Sequence, residues 1–164
     1  MENQSKKDHK MKGSNYGRFF AMLGLSFVAM YMTMYLNTYQ IDHVYFSLTR
    51  FYMTCLGIST MAVIMLSLML KMYKSRKKNL AIYMGSLILF LGALGLVRKQ
   101  GPIVGDVLYM KAMIPHHSIA ILTSKRADIK DPEVRELADG IIKAQVEEIA
   151  EMKKLIEKLE NEKE

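Results

Sequence analysis

Asp106-Val-Leu-Tyr-Met-Lys-Ala-Met-Ile-Pro-His-His117 places two thioethers, a carboxylate and two imidazoles within about three helical turns. At about 100° per residue, Asp106, Tyr109, Met110, Met113, His117, Ala120 and Ser124 share one face, and His116 sits at its edge. Pro115 removes one backbone hydrogen bond and favours a kink at the turn carrying the histidines.

A second helix follows. Asp131 reads as its N-cap, Pro132 as the first helical residue and Glu133 as a favourable charge in the first turn. The two helices are expected over about residues 103–126 and 131–159. In the second, Leu137, Ile141, Ile142, Ile149, Met152, Leu155, Ile156 and Leu159 fall in one stripe, with Gln145 and Glu148 inside it. A carboxylate on an apolar face is costly unless it is paired, protonated or bound to a cation. Folding the pair about residues 128–130 brings Met113 level with Gln145, Met110 with Glu148 and Asp106 with Met152. His117 lands beside Ile141 and Gln145.

Two independent stripes thus meet in the same layers. The reading is a metal site with Met110, Met113, His116, His117, Glu148 and Met152 as ligands and Asp106 and Gln145 in support. Thioether and imidazole together favour copper(I), with silver(I) as a mimic. Zinc would take His and Glu but has little use for Met. A di-iron centre needs more Glu than one hairpin offers. The bland alternative is a buried hydrogen-bonded network, His117 to Glu148 or Gln145, with Met filling space.

Upstream the composition changes. The chain has 164 residues, 51% of them apolar, fifteen methionines and a formal net charge of +7. Charge-free runs at Phe19–Leu36, Phe51–Leu70 and Leu80–Val97 are each long enough to cross a hydrocarbon layer about 30 Å thick. The basic residues flank these runs, a pattern of membrane orientation and not of nucleic-acid binding. Ten Lys and Arg lie in the N-terminal tail and the loop between runs two and three, against four in the other loop and after run three. The expected order is a basic cytoplasmic tail (1–18), a three-helix transmembrane region (19–98) and an extracytoplasmic hairpin (99–164). The fold class is all-α.

Other features weigh less. Gly85, Gly92 and Gly95, with Ser86 and Ala93, suggest a face of run three that packs on a neighbouring span. Met30, Met32 and Met34 alternate and so do not converge on a helix. His43 is expected as a solvated loop residue. Cys55 stands alone, so it forms neither an internal disulfide nor a Cys-based zinc site. The runs hold no ionisable Asp, Glu, Lys, Arg or His, which argues against ion transport. No serine triad, phosphate loop or paired thiol is evident.

The strings Asp106…Tyr109-Met110…Met113-Ile-Pro-His-His117, then Asp131-Pro-Glu-Val-Arg-Glu-Leu-Ala138, then Ile141-Ile142…Gln145…Glu148-Ile149…Met152 resemble the bacterial domain-of-unknown-function family 305. The resemblance covers about residues 103–157. It implies a ferritin-like helical hairpin, exported or anchored in the bacterial cytoplasmic (inner) membrane, with links to copper binding and copper tolerance. Met110, Met113, His116, His117, Gln145, Glu148 and Met152 match its motif positions. Ser118-Ile119 and Thr123 stand where members often carry Gln-Gly and Met, and Leu155 replaces a common Trp.

The expected function is non-enzymatic. The hairpin would hold copper(I) outside the cytoplasm for buffering, delivery or tolerance, with the lipid bilayer, a second copy of the chain and copper-handling proteins as partners. The principal rival is a metal-independent assembly module. A dimeric metal oxidoreductase is a third reading.

Overall fold

The computed structural model describes residues 2–101 and 103–162, with side-chain environments from Asn15 onward. Among the described residues the chain is all-α, without strands. Its elements are α1 (Glu2–Thr33), a 3-10 turn (Ile41–His43), α2 (Leu48–Leu68), α3 (Arg76–Arg98), α4 (Asp106–Arg126) and α5 (Pro132–Asn161). They form two compact units: residues 1–31 with 51–98, and residues 32–50 with 99–164. The second unit therefore takes in the segment between the first two apolar runs, which the sequence reading left as a loop.

In the first unit Tyr16, Phe19, Ala62, Leu66, Tyr73 and Ile82 form the core. Tyr73 meets Tyr16 in a tilted contact at 5.1 Å and Phe19 edge-on at 5.3 Å. A polar knot closes the same end. Tyr16 donates its hydroxyl proton to Asn79 Oδ1 at 2.7 Å, and Asn79 Nδ2 donates to the Tyr73 carbonyl at 2.7 Å. At the other end Phe27 lies edge-on to Phe51, so α1 runs antiparallel along α2.

Among the described residues two helices, α2 and α3, are long and apolar enough to cross a membrane, not the three expected. Helix α1 ends at Thr33 because Tyr35 and Leu36 turn back onto the carbonyls of Met32 and Thr33. Its charge-free helical part, from Phe19, then rises only about 22 Å, short of a full hydrocarbon layer. The expected tail is the helical start of α1, and the side chains of Lys6, Lys7, Lys10 and Lys12 lie outside the described residues.

Only 17% of the apolar window of α3 is buried. A soluble core helix of that hydropathy would be mostly covered. The glycine expectation needs correction: a Cβ at Gly85, Gly92 or Gly95 would meet no heavy atom within 4 Å. The buried line of α3 is Asn79, Ile82, Ser86 and Ala93. Close approach occurs instead at Gly57, where a Cβ would come 3.0 Å from Met30 Cε.

In the second unit α4 and α5 form an antiparallel hairpin over Met110, Ile114, Ile121, Ile149 and Ile156. Helix α4 starts at Asp106 and not near Ile103, because Ile103 and Val104 both turn back onto the Gln100 carbonyl. It runs unbroken through the fully buried Pro115. Asp131 caps α5 as expected, accepting from the amides of Glu133 (2.9 Å) and Val134 (3.0 Å). The single stripe expected on α5 divides in two. Ala138, Ile149 and Ile156 are buried, whereas Leu137 is 65% exposed and Ile141 and Leu155 lie nearer its edge.

Candidate functional site

The sequence-predicted ligands come together along one side of the hairpin. A groove of about 540 Å³ is lined from α4 by Asp106, Tyr109, Met110, Met113 and His117. From α5 it is lined by Glu148, Glu151, Met152, Leu155, Lys158 and Leu159. The i, i+3 and i+4 spacing of α4 puts its four groove-facing turns on one face, as amphipathic periodicity requires. Ile114 and Ile121, on the adjacent face, lock that orientation by full burial.

His117 is the best-defined polar group of the groove. Its Nδ1 lies 2.9 Å from Glu148 Oε2, with the His side chain 14% and the Glu side chain 50% exposed. The approach is close but poorly aligned, and this buried nitrogen has no hydrogen bond of acceptable angle among the described residues. Glu148 is steadied from its own helix by Gln145, whose Nε2 donates to Oε2 at 3.1 Å. Burial pushes the His117 imidazole below its usual range, and the Glu148 carboxylate opposes that shift. The ring is thus neutral at pH 7, the form that donates a lone pair to a metal. A carboxylate beside Nδ1 favours the proton there and leaves Nε2 as the basic nitrogen.

Two expected members are placed differently. His116 is exposed and does not line the groove; its ring centroid is 6.1 Å from that of His117. Consecutive helical residues point about 100° apart, so His116 turns away from the groove that His117 lines. Gln145 also lies outside the lining and acts on Glu148 alone. Tyr109 lines the groove from the face that periodicity gives it, whereas Glu151 and Lys158 are wall residues that the sequence reading does not single out. Their i+3 and i+7 relation to Glu148 and Glu151 was the available signal.

Three carboxylates, Asp106, Glu148 and Glu151, face one ammonium, Lys158, around this groove. The balance suits a cation better than an anion. Among the described residues no three His, Cys, Asp or Glu side chains cluster to hold a metal. Any metal here would therefore depend on the thioethers of Met110, Met113 and Met152.

Behind the groove the segment between α1 and α2 packs on the hairpin. The Tyr39 amide donates to Ser118 Oγ at 2.7 Å, and His43 Nδ1 is 2.9 Å from the same oxygen. Lys153 Nζ donates to Asp42 Oδ2 at 2.6 Å. His43 is 5% exposed, not the solvated residue expected, because Ser118 offers it a buried partner. Burial holds its imidazole below the usual range, with Asp42 acting against the shift.

Comparison with known proteins agrees with the hairpin. Residues 106–164 match a family described as a domain of unknown function, DUF305. An uncharacterized protein, L153, of Acanthamoeba polyphaga mimivirus is 36% identical over 152 residues, spanning 90% of this chain and 97% of that protein. This relative is viral, so it lends no weight to the expected bacterial setting. No solved structure matches the chain. With similarity running through both units, the chain belongs to the family of this viral protein, and its C-terminal hairpin is a DUF305 domain.

Proposed function

We propose that this chain is a membrane-anchored metal-binding protein whose hairpin groove holds copper(I) for buffering or delivery. The observation that carries the reading is the convergence of Met110, Met113, Met152 and a neutral, half-buried His117 on one acid-lined groove. The thioethers and imidazole would be the ligands, suited to a soft monovalent ion. Glu148 would orient His117, and Asp106 would add negative charge. Silver(I) would bind as copper(I) does, and zinc more weakly.

Helices α2 and α3 supply the anchor. Helix α1 follows α2 antiparallel from Phe19 to Phe27 and would enter the bilayer as a third span, the shortfall being met by local thinning. Tyr16 accepts from the Ser75 amide at 3.2 Å, which places the basic start of α1 beside the basic α2–α3 link. Positive charge at that end puts it in the cytoplasm and the hairpin outside.

The test is a copper(I) titration of the full chain in detergent against a competing chelator. His117→Ala and the Met110→Ala/Met113→Ala pair should each weaken binding at least about ten-fold, and His116→Ala should leave it unchanged. Equal binding by all four proteins would sink the reading.

A specific observation favours a second reading, assembly. Val134 (49% exposed), Leu137 (65%) and Ile141 (37%) leave an apolar edge on α5. Two hairpins joined through it would make a ferritin-like four-helix bundle. A dimer that persists without metal and dissociates in Leu137→Lys would support this second reading.

A further inference from the structure

The first unit contains a second cavity, unrelated to the copper proposal. Between its three helices lies a groove of about 540 Å³. Helix α1 contributes Phe20 and Leu23, α2 Ile58 and Ala62, and α3 Ile82 and Leu89. Its walls are almost wholly apolar, with one charge, Lys78, at one end. A Cβ at Gly85, midway along, would meet nothing within 4 Å, so the groove is open at that level.

Its length and its charge identify the occupant. From Lys78 to Leu89 α3 rises about 16 Å, close to half of a hydrocarbon layer about 30 Å thick. The groove thus matches one leaflet, from the basic interface to the midplane. Lys78 Nζ stands 5.0 Å above the Tyr16 ring, and among the described residues no carboxylate pairs with it. Tyr16 is itself fixed by Asn79 and Ser75, so the mouth is built and not loose. Lys74, Arg76 and Lys77 add positive charge beside it. An apolar slot one leaflet long, with an ammonium at its interfacial end, is complementary to an anionic phospholipid. A zwitterionic or neutral lipid would fill the slot but gain nothing from Lys78.

We infer that this groove is a binding site for one anionic phospholipid of the basic-side leaflet, its acyl chain along Ile82–Leu89 and its headgroup on Lys78. The inference rests on the membrane reading above but not on the metal reading. It is tested by native mass spectrometry of the full chain in mild detergent, with phosphatidylglycerol and phosphatidylcholine of the same acyl chains. The wild type should retain one phosphatidylglycerol with a preference of about five-fold over phosphatidylcholine. Lys78→Gln should abolish the preference, and Gly85→Phe should lower occupancy by both lipids. Headgroup-blind binding by the wild type, or a preference undiminished in Lys78→Gln, would overturn the site whether or not Gly85→Phe folds. Extraction of membranes with alkaline carbonate separates the two levels. Release of the protein overturns the membrane reading and the site together, and retention with headgroup-blind binding overturns the site alone.

Discussion

Both units bury apolar side chains, aromatic-rich in the first and mostly isoleucine in the hairpin, and they turn different surfaces outward. Beyond its buried line, α3 presents Leu87, Ile88 and Leu91, each at least half exposed. Helix α5 presents Lys and Glu over most of its outer surface, and its apolar residues divide between a buried line and one edge. In the hairpin unit water drives Ile114, Ile121 and Ile149 inward, so burial itself stabilises. In the first unit the outside is as apolar as the inside. On the membrane reading, shape and polar bonds would hold the helices there: the tilted Tyr16–Tyr73 contact, the Met30–Gly57 approach and the Tyr16–Asn79 knot. Burial of apolar side chains therefore carries different energetic weight in each unit.

The largest test of that difference is a pair of matched truncations. Ile114 is fully buried, so Ile114→Ala should destabilise the hairpin by about 2–5 kcal/mol. Ile88 is 68% exposed, and Ile88→Ala in detergent should cost no more than about 0.5 kcal/mol. Hydrogen exchange of α4 and α3 amides across a denaturant series reads both. Equal effects would mean that α3 is covered by something other than lipid or detergent.

Next in size is the attachment of residues 32–50 to the hairpin. Ser118 Oγ accepts from the Tyr39 amide and bonds His43 Nδ1. Ser118→Ala takes the partner from the buried His43 Nδ1 and the part-buried Tyr39 amide, at a cost of about 1–3 kcal/mol. Limited proteolysis should then cut within residues 34–47 much faster, while α4 and α5 stay protected. Unchanged cleavage would show that Tyr39 and Tyr45 packing alone holds the segment.

This attachment marks the limit of what the sequence makes legible. Periodicity located α4 and α5 closely, and Asp131-Pro132 marked the start of α5, because capping and amphipathicity are local properties. The convergence of Met110, Met113, His117, Glu148 and Met152 was legible for the same reason: two regular helices and a short turn leave one register. His116, at the edge of the ligand face by periodicity, stays outside the groove lining, because adjacency in sequence is not adjacency on a helix. His43 and Ser118 were invisible as a pair, since they lie 75 residues apart and neither carries a pattern. The end of α1 at Thr33 was missed because hydropathy does not register where a backbone turns. The glycines of α3 were overread, because small residues permit close packing but do not compel it.

A pH titration separates the units further, because His43 and His117 both lie in the hairpin unit. Burial lowers both imidazoles below their ordinary 6.5, so the folded chain resists their protonation and the unfolded chain does not. Stability from the neutral rings is complete above pH 6.5 and is lost as pH falls through the folded values. The hairpin should therefore weaken as pH falls below 6.5, while α2 and α3, without histidine, should not respond through this route. His43→Gln should flatten part of the slope. A hairpin whose midpoint is constant across that range would contradict the burial of both rings.

The smallest effect expected is at the rim of the same attachment. Lys153 and Asp42 make a 2.6 Å ion pair, with Asp42 63% exposed and Lys153 29% exposed. Lysine holds the Asp42 carboxyl below its usual range through that hydrogen bond. Water and salt reach the carboxylate, so Lys153→Ala should cost only about 0.2–1 kcal/mol, a value that shrinks at high ionic strength. Its use is discriminating. If Lys153→Ala released residues 32–50 as fully as Ser118→Ala, the segment would be held by surface charge, and its cleavage would rise steeply with salt. If release follows Ser118 and ignores salt, the buried hydroxyl is the anchor, and the segment is part of the hairpin's interior and not a strap lying on it.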